Sequence, residues 1–314
     1  MAQRRPDRPM SRAEFEDLFP DERACVEYLA EKRWPQGFVC PDPKCQGRKA
    51  WEIREENGLW ECARCGRQTS VKAGTVLHRS KLPLRTWFLA VHIVTSHSNG
   101  ISALQLQAQL GLGSYKTAWL MLRKLRRAMV DPDREPLAGV VEVDETTIPL
   151  RTQDDPVAGG QGRSHVGKVA IVGAVEIEDR RYPGRIRLQR IPAYDADTLG
   201  GFVEEQIKPK SVVVTDGLPA YRAIAGEYEH VPKVVGKMAA HVVLPWVHRV
   251  FSNMKRWAMG VFHGLRGPHL QAHLDEFVFR WNRRRWRRAS FDTLLGIAMR
   301  LPHAGFRDFV PRAT

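Results

Sequence analysis

The stretch VEVDETTIPL, residues 141–150, alternates like a β-strand with one buried face and crowds three carboxylates, Glu142, Asp144 and Glu145, into four positions. Val141, Val143 and Thr147 favour an extended chain. Carboxylates are rarely placed on a strand beside a core unless something positive meets them. What meets these three decides how the rest of the chain is read.

Two more strands follow, KVAIVGAVEIE (168–178) and RIRLQRI (185–191), each close enough to its predecessor for antiparallel pairing. DADTLGGFVEEQI (195–207) predicts a helix with acidic residues at its start. SVVVTDG (211–217) is a short, nearly all-apolar run, as expected of a strand covered on both faces. LPAYRAI (218–224) and VPKVV (231–235) give a short helix and a fifth strand, and a long helix starts after Pro245. Three antiparallel strands, a helix, a strand entering the same sheet, then helices is the order of a ribonuclease-H-like fold.

In that topology the first and fourth strands are neighbours, so Asp144 and Asp216 come together where a ligand can reach them. Two close carboxylates repel each other unless a cation neutralises them. A hard divalent ion, Mg²⁺ or Mn²⁺, is the natural partner, completed by water and substrate phosphate. Two such ions about 4 Å apart would activate water or a 3′-hydroxyl and steady the leaving oxygen. Glu142 shares the strand face of Asp144 but lies further from the strand end, and reads as a structural or solvated carboxylate.

The helix after Pro245, WVHRVFSNMKRWAMG (246–260), has an apolar side of Val247, Val250, Phe251, Met254 and Trp257. His248, Ser252 and Lys255 fall together on the other side, and Asn253 does not join them. His248 can therefore ligate a metal or hydrogen-bond a phosphate, and Lys255 can hold the scissile phosphate. A single His at a helix start is otherwise an ordinary capping residue; the neighbouring carboxylates change its reading.

The composition points the same way. Of 314 residues, 49 are Lys or Arg against 35 Asp or Glu, a net charge of +14 with a pI near 9.9, which suits a polyanionic partner. Apolar runs such as WFLAVHIV are too short to span a bilayer, and no apolar segment follows the Arg-rich start as in a signal peptide. The expected location is the cytoplasm, associated with the nucleoid when bound to DNA. Between Arg249 and Arg288 ten Lys or Arg stand against two acids, including RWNRRRWRR (280–288). Arg with interleaved Trp suits phosphate contact and base stacking, so Arg256, Arg283 and Arg284 are candidate DNA contacts. The loop GGQGRSHVGK (159–168) is another basic stretch that could touch DNA.

The five cysteines all precede residue 66. Cys40 and Cys45, then Cys62 and Cys65, make two short-spaced pairs sixteen residues apart. That spacing fits a zinc ribbon, in which two turns each present two thiolates to one tetrahedral ion. Between the pairs, AWEIREENGLWEC reads as a hairpin about Asn57-Gly58. Cys25 sits on the apolar face of a helix and reads as a small buried hydrophobe. Further on, SALQLQAQLGLGSYKTAWLMLRKLRRAM (102–129) offers two helices joined at GLG, with Ser102 and Ser114 at the N-cap positions. This is a helix-turn-helix pattern in which Tyr115, Lys116 and Thr117 open the recognition helix.

The expected architecture is α+β and multidomain. A tail and helix (1–35) lead to the zinc ribbon (36–73) and a helical helix-turn-helix-like region (74–133). A ribonuclease-H-like catalytic domain (134–297) and a C-terminal tail (298–314) follow.

The zinc ribbon, GTVLHRSKLPLRTWF (74–88), VEVDETTI, VVVTDG and HRVFSNMKRW…HGLRG together resemble an insertion-sequence DDE transposase of the zinc-ribbon-bearing, ISXO-like branch. The likeness runs from about residue 15 to about residue 295, with the motifs in the expected order. It implies a ribonuclease-H-like catalytic domain and divalent-metal-dependent nicking at terminal inverted repeats. Attack of the freed 3′-hydroxyl on target DNA would follow. It also implies at least a homodimer, since two element ends are joined. Asp144 and Asp216 match the first two acids, and Lys255 the basic residue after the third. Seven residues before that Lys, where the pattern has its third acid, this chain has His248, and no Asp or Glu occurs between Glu229 and Asp275. Some members of this branch use a neutral third residue, so His248 takes the position, ahead of Asn253 and Glu276. The alternative is a catalytically inactive, transposase-derived DNA-binding protein.

Overall fold

The computed structural model describes residues 7–54, 58–149, 167–179, 181–233, 240–262, 265 and 267–310. The chain divides into two units, one of residues Met1–Asp131 with Arg283–Thr314, the other of Pro132–Asn282.

The first unit opens with α1 (Arg12–Leu18) and α2 (Glu22–Arg33), parted at Pro20. Ser11 and Glu14 cap α1 reciprocally, side chain to backbone N–H in both directions. Cys25 is fully buried on α2, and burial pushes its thiol up to about 12. Strands β1 (Ala50–Arg54), β2 (Leu59–Cys62) and β3 (Gln68–Ser70) form an antiparallel sheet. At the predicted hairpin Gly58 has φ +53°, while Asn57 lies outside the described residues. Helices α3 (Leu84–Ser96), α4 (Ala103–Leu110) and α5 (Tyr115–Arg127) follow. The Ser102 hydroxyl caps α4, and Gly111 ends it at φ +62°, a left-handed conformation in which glycine alone escapes a Cβ penalty. Ser114 precedes α5 without a side-chain cap bond. The pair α4 and α5 packs as the expected helix-turn-helix-like hairpin.

The second unit is built on β4 (Val140–Pro149), β5 (Lys168–Glu178) and β6 (Tyr182–Ile191). After α6 (Ala196–Gln206) come β7 (Val212–Thr215), a 3-10 turn over Pro219–Gly226, and β8 (Glu229–Pro232). Helices α7 (Ala240–Val243), α8 (Pro245–Phe262) and α9 (Leu270–Asn282) complete it. The sheet order is β6-β5-β4-β7-β8, with β4, β5 and β6 mutually antiparallel and β7 and β8 parallel to β4. This is the ribonuclease-H-like order read from the sequence. The fifth strand starts two residues before the predicted 231–235 and ends at Pro232; residues 234–235 lie outside the described residues.

Alternation along β4 and β5 builds two apolar layers. Val141, Val143, Ala170, Val172 and Ala174 meet Leu199, Phe202 and Val203 of α6. Ile148, Ile171 and Val175 meet Val247, Val250, Phe251 and Met254 of α8 on the opposite face. Each fully buried Val, Leu, Ile, Phe or Met among them contributes about 1.5–3 kcal/mol. Between Ile171 and Val175, on the α8 face, stands Gly173, the partner of Asp144 in the ladder. A Cβ there would lie 2.5 Å from the Phe251 ring, so the missing side chain is what allows α8 to approach.

The chain then returns to the first unit with α10 (Ala289–Arg300). Phe291 joins a ring cluster with Phe15, Phe19, Tyr28 and Phe88, and Arg300 pairs with Asp131 at 3.0 Å. The second unit ends at Asn282 rather than at the expected 297, because α10 buries its apolar face against α2 and α3.

Candidate active site

Each carboxylate of the opening stretch has its own partner. The Glu142 Oε2 atom accepts from the N–H groups of Trp246 and Val247, both at 2.9 Å. Glu145, facing the other side of the sheet, accepts from the hydroxyl of Tyr221. Asp144 Oδ1 accepts from the N–H of Glu145 at 2.8 Å, and its Oδ2 lies 3.0 Å from Nε2 of His248. The cation expected to meet these carboxylates is thus left to Asp144 alone of the three; protein donors meet the others.

Asp216 follows directly on β7. The β4–β7 ladder ends with Glu142 beside Val214, and two residues further along each strand come Asp144 and Asp216. The Asp216 Oδ1 atom accepts from Leu218 N–H at 2.9 Å, and Gly217 takes φ +88°, an Asx turn that fixes the carboxylate at the strand end. Tyr221, fully buried after that turn, reports the crowding. Burial first, then Glu145, Asp144 and Asp216, hold its phenol protonated well above the ordinary range.

On α8, His248 and Lys255 lie two turns apart. The His248 Nε2 atom is buried and makes no aligned hydrogen bond, although Asp144 Oδ2 stands beside it. Two ligand atoms on an octahedral cation with bonds of about 2.1 Å stand about 3 Å apart, so this pair fits a shared hard cation. Lys255 is half-buried, and burial together with the nearby Lys168 ammonium lowers its pKa. Asn253 is half-buried on the same helix. Glu276, by contrast, is 1 % exposed on α9 and accepts from Arg280 at 2.8 Å. It lies among buried residues, on a helix packed against the far edge strand β6. It is not placed to act as a third acid.

The four cysteines converge. Their Sγ atoms all lie within 4.8 Å of one another, with Cys40–Cys65 and Cys45–Cys62 at 3.7 Å. A disulfide needs about 2.05 Å, whereas a tetrahedral zinc with bonds of about 2.3 Å spaces its sulfurs by about 3.8 Å. The set can hold zinc. N–H groups of Arg64 and Cys65 draw the Cys62 thiol down to about 7, while burial pushes Cys45 up to about 12. Among the described residues this is the group of three or more potential ligands whose atoms converge; Asp144, Asp216 and His248 approach without closing to that extent.

Of the candidate DNA contacts, Tyr115 is exposed at the start of α5, Thr117 is half-buried, and the Lys116 ammonium stands 4.1 Å over the Phe306 ring. Arg256 is exposed on α8. Arg283 and Arg284 are half-buried in the first unit, and burial lowers the pKa of Arg283 against the pull of Asp131. Most of the basic loop 159–168 lies outside the described residues, with only Gly167 and Lys168 inside them. Sequence reasoning missed three features: the Tyr221 partner of Glu145, the helix cap made by Glu142, and the Gly173 gap. The strand alternation carried a signal for the first alone, by turning Glu145 away from Asp144.

Residues 136–282 match the ISXO2-like transposase domain, and residues 20–68 match the transposase zinc-ribbon domain. A curated relative from Halobacterium salinarum, "Uncharacterized protein in transposable element ISH50", is 33 % identical over 142 residues. That match covers 44 % of this chain and 47 % of the relative, so it spans about half the relative's length. Among solved structures, a chain of the simian T-cell lymphotropic virus intasome in complex with PP2A regulatory subunit B56 gamma aligns with 54 % of this chain and 63 % of its own. Its TM-score is 0.30 at 10 % identity, a level that defines neither fold nor function. The chain thus carries a segment matching the transposase zinc-ribbon domain followed by one matching the ISXO2-like transposase domain.

Proposed function

We propose that the chain is an insertion-sequence transposase. It binds the terminal inverted repeats of its element and catalyses metal-dependent DNA strand cleavage and strand transfer. The observation that carries this reading is the unsatisfied His248 Nε2, 3.0 Å from the Asp144 carboxylate, with Asp216 ending the adjacent strand.

Asp144, Asp216 and His248 would hold Mg²⁺ or Mn²⁺, which when bound favours the ionised attacking oxygen and offsets charge on the phosphate. Lys255, with Lys168 nearby, positions the scissile phosphate through its non-bridging oxygens. Water, and later the freed 3′-hydroxyl, loses its proton and attacks phosphorus. The P–O3′ bond breaks, and the departing oxygen takes up a proton. Tyr115, Lys116 and Thr117 contact the repeat in the major groove, and Arg256, Arg283 and Arg284 contact phosphate. Joining two element ends calls for a homodimer or a larger assembly on double-stranded DNA. No described helix is long and apolar enough to cross a membrane, and the work would be done in the cytoplasm on the nucleoid.

His248 in place of an acid favours a second reading, a DNA-binding descendant without catalysis. A plasmid carrying the element's inverted repeats separates the two. Products that need Mg²⁺ or Mn²⁺ and vanish in Asp144→Asn and Asp216→Asn support the transposase. Repeat-specific binding with no product under either metal supports the binder.

A further inference from the structure

We propose that Glu142 is a positioning residue, which sets the place of His248 by capping the helix that carries it. The inference rests on the transposase reading for its catalytic consequence but not for its geometry.

Helix α8 begins at Pro245, so its N-cap position is Leu244, a side chain with no acceptor. The N–H groups of Trp246 and Val247 are the ones an N-cap oxygen ordinarily satisfies. Here a single oxygen from a neighbouring strand takes both, Glu142 Oε2 at 2.9 Å to each. A carboxylate there also meets the positive end of the helix dipole. The next residue on the helix is His248, and two residues along the same strand face is Asp144, 3.0 Å from His248 Nε2. Strand and helix are therefore joined at two successive points. The first is a pair of backbone hydrogen bonds that fixes how far α8 has slid and turned. The second is the functional contact itself.

Glu142 is 7 % exposed, a costly place for a carboxylate unless its bonds are used. An apolar residue would suit that layer, where Val214, Val247 and Val250 pack. Releasing the helix start by one bond length would carry the imidazole away from Asp144. Misplacement by about 1 Å costs about 100-fold in rate.

The test uses full-length, zinc-loaded protein. The His248 ring is read by nitrogen NMR, assigned by the loss of its signal in His248→Ala, and cleavage is read on a repeat-bearing duplex. Glu142→Ala is expected to move the His248 signal, and to lower kcat about 100-fold with KM for the duplex within about twofold. Glu142→Gln keeps an acceptor oxygen and is expected to restore the wild-type His248 signal and most of kcat. An unchanged His248 signal in folded Glu142→Ala would overturn the proposal, as would equal losses in Ala and Gln. If the Ala variant does not fold, Glu142→Asp, which withdraws the carboxylate by one methylene, takes its place with the same expectations. Should the wild type give no product, the function has failed, and the NMR signals still decide the positioning role.

Discussion

The hydroxyl of Tyr221 donates to the carboxylate of Glu145 across 76 residues of sequence, tying the turn that follows Asp216 to the strand that carries Asp144. Tyr221 is fully buried, and the Glu145 that it meets is half-buried. In Tyr221→Phe the Glu145 carboxylate loses this donor. The expected cost is about 1–3 kcal/mol of unfolding free energy, measured by urea titration at pH 7. Cleavage should fall with it, because Asp216 loses its strut.

Replacing His248 tests the metal assignment directly. His248→Glu supplies a carboxylate beside Asp144, and a hard divalent ion prefers oxygen ligands. The variant should bind Mn²⁺ more tightly than wild type in calorimetry and reach half-maximal cleavage at lower Mg²⁺. His248→Ala should need more of either ion.

Gly173 has no room for a methyl group. In Gly173→Ala the new carbon meets Phe251 at 2.5 Å, so either the ring or α8 must move. Overpacking of this kind costs about 1–3 kcal/mol. Thermal unfolding should show the loss, and Phe251→Leu in the same chain should return part of it.

The zinc site gives a prediction that does not involve catalysis. Metal analysis should find one zinc per chain, lost in Cys62→Ser. Removal by chelator should change the fluorescence of Trp60, which packs on Trp34 beside the ribbon. Catalytic-unit unfolding, followed by far-UV signal, should persist.

Glu142 also predicts a pH dependence. Burial raises its pKa above the ordinary 4.5, outweighing the two backbone N–H bonds. A carboxyl whose folded pKa is raised binds its proton more firmly when folded. Its contribution to stability is therefore greatest below the unfolded pKa and declines as pH rises through the folded one. Urea titrations at pH 5 and pH 8 should show a smaller decline in Glu142→Gln than in wild type.

Much of this was legible because the sheet declares itself by alternation. Strand β5 falls on the predicted residues 168–178, and the strand order follows from three successive antiparallel runs and one crossover. Cysteine spacing is equally local, and so is the helical periodicity that puts His248 and Lys255 on one face. What escaped were relations between distant residues. Glu142 and Trp246 are 104 residues apart, and no periodicity states that a strand carboxylate will cap a later helix. The Gly173 gap is a fact about Phe251 more than about glycine. Glu276 stood among the candidates for the third position because a buried ion pair with Arg280 leaves no apolar signature. The end of the second unit was hidden for a related reason: α10 has an ordinary amphipathic pattern, and contacts with Phe15, Phe19 and Phe88 reveal which core it completes.

That return of α10 makes the second unit an insertion, since the chain leaves the first at Asp131 and re-enters it at Arg283. The ends of the insert meet, with Asp131 close enough to Arg283 to influence its charge. The insert is thus a cassette on two tethers, and a protease that nicks one of them leaves both halves of the machine joined by the other. It also says where to cut for construction. A fragment ending at residue 133 would strand an aromatic core without Phe291, whereas a short linker from residue 131 to residue 283 would close the first unit as the chain itself closes it.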